Sequence, residues 1–384
     1  MAVGTYALTS TDEVFGVIGG NLQVPALWLY FSGTTGTNTV QVNDTTLVLI
    51  DEDNGTTTFT FASASYNTLT KLVAEINKIS GWNAGLIYVG AADSGDLIVT
   101  GALDAEGRAK EQTLMIKPVY TIEKYIDRAT DFIERWTNRL LMSRTHTNEV
   151  YWGSGRTKLI LEQYPITRIV RVYEGRANGF SIKNTSSDMD YATVEITSSV
   201  IRLIVSGGAN EDDSSLTLSD YDSIDGLITA IEALSKGWSC TTIATNTDTL
   251  GASELLVRPS MYVDNTTQAY CEIPDEYLTD YRLLRPESED RNDGIIQRTA
   301  EFDPGFEYFV TYTAGYATTP GALEDLCIAL VRRRYYQDQS DPGMKSEKKG
   351  DYQYTRFSNE DLRGVFAEDP MLEAEANLFK KVNI

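Results

Sequence analysis

The segment TVQVNDTTLVLIDEDNGTTTFTFASASYNTLTKLVAEINKISGW (Thr39–Trp82) decides the fold, because the chain carries a second version of it. The second version is TVEITSSVIRLIVSGGANEDDSSLTLSDYDSIDGLITAIEALSKGW (Thr193–Trp238). Both begin with Thr-Val and end with Gly-Trp, and Tyr66 aligns with Tyr221. Self-similarity of this kind predicts two copies of one structural unit.

Each copy reads as a small α+β unit. The matched apolar residues follow the i, i+3, i+4, i+7 spacing of one helix face: Leu69, Leu72, Val73 and Ile76 in the first copy, and Ile224, Leu227, Ile228 and Ile231 in the second. Two alternating strands joined by a turn precede each helix. A further strand is predicted after it, at Leu97–Val99 and at Leu255–Val257.

The acidic turns of the two copies, Asp51–Thr58 and Gly207–Ser215, raise the question of calcium. Neither has glycine at the sixth place of an EF-hand loop or a glutamate in register to follow it. Asn54-Gly55 between alternating strands is typical of a hairpin turn. We therefore favour solvated turns over a metal site.

The segments outside the copies are of a different kind. A short helix is predicted over Ser10–Ile18, where Ser10 and Glu13 form a capping box. Thr121–Leu141 reads as a long amphipathic helix, Asn148–Gly175 as three short strands, and Phe306–Tyr312 as another strand. These segments predict one discontinuous domain that carries the two copies as insertions.

A second long helix is predicted to begin at Thr319-Pro320 and to end in Arg332-Arg333-Arg334-Tyr335-Tyr336. Its buried stripe is expected to consist of Leu323, Leu326, Cys327, Leu330 and Val331. The arginines complement the negative end of the helix, which accounts for one or two of them more readily than for three. Contact with a neighbouring subunit and contact with passing DNA are the alternatives.

Composition excludes several classes of protein. The chain has 33 Lys and Arg against 55 Asp and Glu, a net charge of −22, so wrapping of nucleic acid is not expected. Three cysteines without CxxC spacing and a single histidine, His146, argue against a disulfide scaffold, a zinc site and most histidine-dependent catalysis. No signal peptide or membrane span is recognised. We expect a soluble protein of cytosolic origin, without cofactor, metal or membrane partner.

The order of the segments outside the copies resembles the head–tail connector (adaptor, or head completion) proteins of tailed bacteriophages. The likeness rests on ATDFIERWTNR, on YWGSGRTKLILEQYPITRIVRV, on YTAGYATTPGALEDLCIALV and on SEKKGDY, taken in that order. It covers roughly half of the chain and misses both copies. The resemblance implies an adaptor core in residues 1–28, 118–176 and 272–384, with inserted domains at 29–117 and 177–271. The implied fold class is α+β: a discontinuous helical bundle with a small β-element, plus two homologous inserted α+β domains.

The resemblance also implies a function. Twelve copies would form a ring in the neck of the virion, between the portal protein and a stopper or tail completion protein. DNA would pass through the lumen without sequence-specific binding, and the subunit, assembled in the host cytoplasm, would not be an enzyme. The alternatives are a tail or fibre-associated protein whose repeated domains hold a receptor or glycan, and a glycosidase with a carboxylate pair.

Three sets of residues carry the expected contacts. The C-terminal helix is expected to dock on the portal through its apolar residues, Met371, Leu372, Leu378, Phe379 and Val382. The subunit interface is expected at Arg332, Arg333, Tyr335 and Tyr336. A tail-facing loop is expected to present Lys345, Lys348, Lys349 and Tyr352.

Overall fold

A computed structural model describes residues 4–19, 22–33, 36–52, 55–284, 294–339, 346–349, 352–355 and 370–380. The chain divides into two compact units. Unit 1 consists of residues 1–142 and 318–384, and unit 2 of residues 143–317. Helices and antiparallel sheets are both present, which confirms the α+β class.

The helices are, in chain order, α1 (Thr11–Ile18), α2 (Leu69–Ile76), α3 (Val119–Thr137), α4 (Ile224–Ala233), α5 (Gly321–Gln339) and α6 (Pro370–Leu378). The strands of the first half of the chain are β1 (Val24–Phe31), β2 (Thr39–Val42), β3 (Thr46–Asp51), β4 (Gly55–Thr60), β5 (Trp82–Leu86), β6 (Leu103–Asp104), β7 (Gln112–Ile116), β8 (Arg144–Trp152), β9 (Arg156–Ile160) and β10 (Ile166–Asn184). Those of the second half are β11 (Tyr191–Ile196), β12 (Val200–Ser206), β13 (Asp212–Thr217), β14 (Trp238–Thr242), β15 (Arg258–Val263), β16 (Ala269–Leu278), β17 (Tyr281–Leu284), β18 (Ile295–Phe302), β19 (Glu307–Ala314), β20 (Ser346–Lys349) and β21 (Tyr352–Thr355).

Four helices of unit 1, α1, α3, α5 and α6, pack together. The capping box predicted at the start of α1 is present, with Ser10 and Glu13 satisfying each other's backbone N–H groups. Helix α3 ends earlier than expected, because Asn138 takes the left-handed conformation at φ 54° and closes the helix.

Helix α5 lies against α1, α3 and α6, so it is buried on more than one side. Leu323, Leu326, Cys327 and Val331 of the predicted stripe are buried, whereas Leu330 is only half-buried. Ile328 is buried as well, outside that stripe. An amphipathic pattern predicts one buried face. Helix α5 has three helical neighbours, so it also buries residues outside that face.

Module 1, residues Val24–Ile116, contains two sheets and α2. One sheet has the strand order β5-β1-β7 and the other β4-β3-β2-β6. The four apolar residues that the sequence assigns to α2 are all buried between the sheets. Thr68 caps this helix by accepting a hydrogen bond from the backbone N–H of Lys71.

Module 2, residues Ala177–Ile273, repeats every pairing of module 1. Strand β10 lies between β14 and β16 as β1 lies between β5 and β7, and the order β13-β12-β11-β15 reproduces β4-β3-β2-β6. A register shift falls between Pro25 and Leu27 in one module and between Asn178 and Phe180 in the other. The two copies found in the sequence therefore have the same strand pairing down to a bulge.

The turn that ends each module helix is also repeated. Gly81 and Gly237 have φ angles of 85° and 79°. Their carbonyls accept two hydrogen bonds from one residue, the backbone and hydroxyl of Ser32 in module 1 and of Thr185 in module 2. A positive φ explains why glycine precedes the tryptophan in both copies.

Three strand predictions need correction. Leu97–Val99 and Leu255–Val257 are not strands; each follows a 3-10 turn and lies extended, with one backbone hydrogen bond to the last strand of its module. The third correction concerns Asn148–Gly175. The last of the three short strands predicted there is the beginning of β10, which has 19 residues and continues into module 2. Alternation of residue types locates a strand but does not limit its length.

Unit 2 is built on one larger sheet. It contains four adjacent strands in the order β16-β10-β19-β8. Glu174 of β10 is the register partner of Glu276 on one side and of Tyr308 on the other. A smaller sheet has the order β17-β18-β9. Strands β10 and β16 cross the predicted boundaries at 176/177 and 271/272. The five-segment division of the chain remains a prediction.

Candidate interaction sites

The arginine cluster lies in the second half of α5, which continues to Gln339. The predicted end of this helix at the arginines is therefore wrong, and none of the three lies in the last turn, where the helix dipole acts most strongly. Arg332 is exposed, while Arg333 and Arg334 are half-buried. The guanidinium of Arg334 lies 3.4 Å from the carboxylate of Asp338, which also accepts a hydrogen bond from the Tyr125 hydroxyl on α3. Arg334 is thus bound within its own unit, and Arg332 is the member of the cluster most open to a partner.

Tyr335 and Tyr336 differ in their accessibility. Tyr335 is buried, whereas Tyr336 is 50% exposed, and the two rings meet edge to face at 5.7 Å. The Tyr336 hydroxyl lies 3.5 Å from the carbonyl of Ile18 at the end of α1. Of the two tyrosines, Tyr336 is the one whose ring is accessible from outside the unit.

Two carboxyl groups meet where α1 contacts α5. Glu13 and Glu324 are hydrogen-bonded to each other, and both receive the Thr9 hydroxyl, at 3.1 and 3.4 Å. The contact with Glu324, with the N–H and hydroxyl of Ser10, lowers the pKa of Glu13 to about 2, and the contact with Glu13 raises the pKa of Glu324. The two carboxyl groups titrate as a pair, and Glu324 is the one that keeps its proton to the higher pH.

The C-terminal helix α6 packs on α3 and α5. Arg139 donates a hydrogen bond of 3.0 Å to the carbonyl of Phe379, and the Lys380 ammonium lies 5.1 Å from the centre of the Trp136 ring. Of the residues predicted to dock on the portal, Leu378 is 76% exposed and Phe379 is half-buried. Val382 lies outside the described residues; Met371 and Leu372 belong to α6, but their side chains are not described.

The predicted tail-facing loop is a β-hairpin, β20–β21. Lys349 and Tyr352 are register partners, and Lys348 pairs with Gln353. Lys345 lies outside the described residues. The hairpin places Lys348 and Lys349 on the strand that leads into the turn.

A cleft of about 340 Å³ crosses one end of the large sheet of unit 2. Its walls come from four adjacent strands and from the turn before β19. Trp152 and Phe306, at 63% and 51% exposed, form the apolar part. Glu174, Asp275, Glu276 and Glu307 contribute carboxylates, and Arg176 contributes one guanidinium. None of these residues was predicted from the sequence to belong to a site. Trp152-Gly153 and Glu174-Gly175-Arg176 are isolated in the sequence and form no periodic pattern.

The arginines near this cleft are already engaged. Arg176 binds Glu307 through two nitrogens and Glu272 through a third, at 3.1 Å. Arg298 donates to Glu174 at 3.0 Å and to Asp280 at 3.3 Å. Asp275 and Glu276 are exposed, and neither has an ion-pair partner within the described part of the chain. The cleft therefore keeps an excess of negative charge.

The single histidine belongs to a buried cluster in unit 2. His146 stacks on Tyr312, with ring centres 5.0 Å apart, and its Nδ1 lies 4.0 Å from Glu149. Glu149 accepts hydrogen bonds from the hydroxyls of Tyr151 and Tyr312. Burial lowers the pKa of His146 and raises that of both tyrosines, so the imidazole and phenols stay neutral at pH 7. This cluster ties β8 to β19.

The remaining candidates for chemistry are few. The three cysteines are free thiols, and burial raises the pKa of Cys240 and of Cys327 to about 12. In the described residues, no group of three or more His, Cys, Asp or Glu side chains is arranged to hold a metal ion. Across the same residues, no helix has the length and apolar character needed to cross a membrane.

Comparison with known proteins gives a weak likeness among solved structures. No protein-family model matches the chain, and no curated protein matches it. Among solved structures, a chain from the neck of an empty GTA particle, computed with C6 symmetry, is similar at 11% identity. The match covers 69% of this chain and 80% of that chain, with a TM-score of 0.25. A score of this size carries no argument about fold or function.

Proposed function

We propose that this chain is a structural subunit of a bacteriophage neck: an adaptor that forms a ring, joins the portal to the stopper or tail completion protein and encloses the DNA channel. The observation that carries the proposal is the joint order of four segments that resemble connector proteins. These segments form α3, the start of β10 after Tyr164–Pro165, the passage from β19 into α5, and the hairpin β20–β21.

Charge supports the same proposal. A subunit with a net charge of −22 repels its own copies unless the contact brings opposite charges together. The exposed Arg332 and the ring of Tyr336 on α5 suit such a contact. An acidic channel wall would also let DNA slide without being held. The proposal includes no catalytic step and no cofactor.

Assembly size tests the proposal most directly. Light scattering and negative-stain electron microscopy of the purified chain, alone and with portal protein, should show rings of about twelve copies, as the resemblance implies. A monomer or trimer that binds glycans or cell surfaces would favour the receptor-binding alternative instead.

The interface test uses Arg332→Glu with Arg333→Glu. We expect folded subunits that no longer form rings, because the reversal brings like charges together. Arg135→Glu is the matched control, since Arg135 lies on α3 of the same unit and its side chain is 79% exposed. Normal rings with altered DNA retention would place the arginines in the lumen. Normal rings with normal DNA retention would contradict both roles.

The docking test uses Leu378→Asp. The side chain is mostly exposed, so the change should leave α6 folded and prevent attachment to filled heads. Val17→Asp on α1 is the control, since Val17 is an exposed apolar residue of the same unit. Equal attachment by both variants would move portal docking away from α6.

A further inference from the structure

We infer that the cleft of unit 2 receives the lysine-bearing hairpin β20–β21 of a second copy of this chain. The inference rests on the proposed ring, and it names a contact that the ring uses. It begins from a pair of like charges. Glu174 and Glu276 are directly opposite each other on β10 and β16, an arrangement that weakens a sheet when no cation lies nearby. Arg298 neutralises Glu174, and Glu276 is left without a cation in the described chain.

The backbone keeps the cleft open. Gly175 has a φ angle of 77° on β10, and Gly305 has one of 92° in the turn before β19. The space next to Gly305 is empty of other atoms within 4 Å of where a Cβ would stand. Asp275 and Glu276 are themselves exposed, so a side chain from outside can reach their carboxylates.

The cleft chemistry fits an ammonium group on a long alkyl stem. Its lining holds four carboxylates and one guanidinium, that of Arg176, which is already bound to Glu307 and Glu272. Exposed aromatic rings attract cations over their faces. The alkyl stem of a lysine would cover Trp152 and Phe306 while its ammonium meets Asp275 or Glu276.

The hairpin is the segment of this acidic chain that best supplies such a group. Residues 345–349 contain three lysines in five positions, and Lys348 and Lys349 lie on β20, where Lys349 is the register partner of Tyr352. The arginines of α5 are less suitable, because Arg334 is held by Asp338 and the others lie along a packed helix. In a closed ring, each copy would present one hairpin and offer one cleft.

A charge-swap cycle on the full chain tests this contact. Lys348→Glu with Lys349→Glu should reduce the fraction of subunits in rings about tenfold at a fixed concentration, and Asp275→Lys with Glu276→Lys should do the same. Mixing the two variants, or combining all four changes, should restore assembly. Asp220→Lys with Asp248→Lys is the matched control, since both residues are exposed in the same unit. Rings that form normally in both single-site variants would overturn the inference and leave the proposed function intact.

A second measurement does not depend on ring formation. Trp152 is the one tryptophan classed as exposed, so acrylamide quenching of the full chain reports chiefly on the cleft. A synthetic peptide of residues 344–356 should protect Trp152 in wild type and not in Asp275→Lys with Glu276→Lys, with protection lost at high salt. Absence of protection in dispersed wild-type subunits would overturn the inference. Protection in a chain that never forms rings would support the contact and count against the proposed function.

Discussion

Modules 1 and 2 have the same strand pairing but join the rest of the chain in different ways. Module 1 ends at Ile116, and Lys117-Pro118 leads directly into α3. In module 2, β10 and β16 both continue past the module. There β10 pairs with β16 on one side and with β19 on the other, in the larger sheet of unit 2. The same insert can thus be attached by a turn, which leaves it separable, or by continuous strands, which make it part of its neighbour.

The core contacts reflect the same difference. The buried cluster of module 1 includes a single residue from α3, Tyr120. The cluster of module 2 draws in Tyr173, which lies on the part of β10 that pairs with β19. Side-chain contacts can be lost one at a time, whereas a shared ladder of backbone hydrogen bonds fails as a unit.

The largest expected effect comes from cutting each module out of the chain. A fragment of residues 22–117 keeps all of β1 to β7, so we expect cooperative thermal unfolding. A fragment of residues 177–271 begins and ends inside strands and lacks the buried Ile273, so it should unfold at a markedly lower temperature. The shorter cut Tyr30–Leu103 omits β7 and most of β1 and should not fold. Circular dichroism melting of the three fragments decides the matter; equal midpoints for the first two would refute the distinction.

The next effect concerns equivalent acidic residues that end the 3-10 turns of the two modules, Asp96 and Glu254. Glu254 is 2% exposed and forms an ion pair with Arg171 of β10. Glu254→Gln should lower the stability of unit 2 by about 3–5 kcal/mol, because it leaves the guanidinium of Arg171 without its partner. Urea unfolding measures the change. Adding Arg171→Met should recover most of the loss, and failure to recover would mean that Glu254 acts through packing rather than charge.

A smaller effect is expected at the shared glycines. A Cβ at Gly81 would lie 2.3 Å from the ring of the buried Phe31, and a Cβ at Gly237 would lie 2.2 Å from the Ser186 hydroxyl. Both substitutions by alanine strain the positive φ by roughly 1–2 kcal/mol. Gly81→Ala should cost more than Gly237→Ala, because an aromatic ring in a packed core moves less easily than a hydroxyl. Calorimetry of the two variants gives the order, and a reversed order would show that module 1 is the more loosely packed.

How much of this the sequence could predict differs between core and site. The copies, their helices, the capping box at Ser10 and the start of α6 at Pro370 follow from periodicity and capping chemistry, which are local. The length of β10 depends on β16 and β19, partners that lie far away in the sequence. The cleft depends on four strands that this pairing brings together, so no local sequence pattern predicts Trp152 or Asp275 as site residues. Local rules predict elements, and tertiary pairing makes the site.

The last prediction concerns Asp96, the counterpart of Glu254 in module 1. Burial, with Asp93 and Glu123 nearby, raises the pKa of Asp96 to about 6, and Lys117 only partly offsets this. Because the folded pKa lies above the unfolded value near 3.9, Asp96 contributes stability below that value and loses it as the pH rises through 6. Unit 1 should therefore lose roughly 1 kcal/mol between pH 4 and pH 7 through this group, a figure reduced for its partial exposure.

Asp96→Asn should remove that loss and stabilise unit 1 by a similar amount at pH 7, the opposite sign to Glu254→Gln in unit 2. Urea unfolding at several pH values between 4 and 7 measures both the pH-dependent loss of stability in wild type and the effect of Asp96→Asn. Glu111→Gln on the exposed surface of module 1 is the control for removing a charge from an acidic chain. If Asp96→Asn and Glu111→Gln give the same pH profile, general charge repulsion accounts for the effect. Opposite signs at Asp96 and Glu254 would show that the carboxylate of module 2 is neutralised by an arginine from the shared strand, whereas that of module 1 carries a charge at pH 7 that Lys117 only partly compensates.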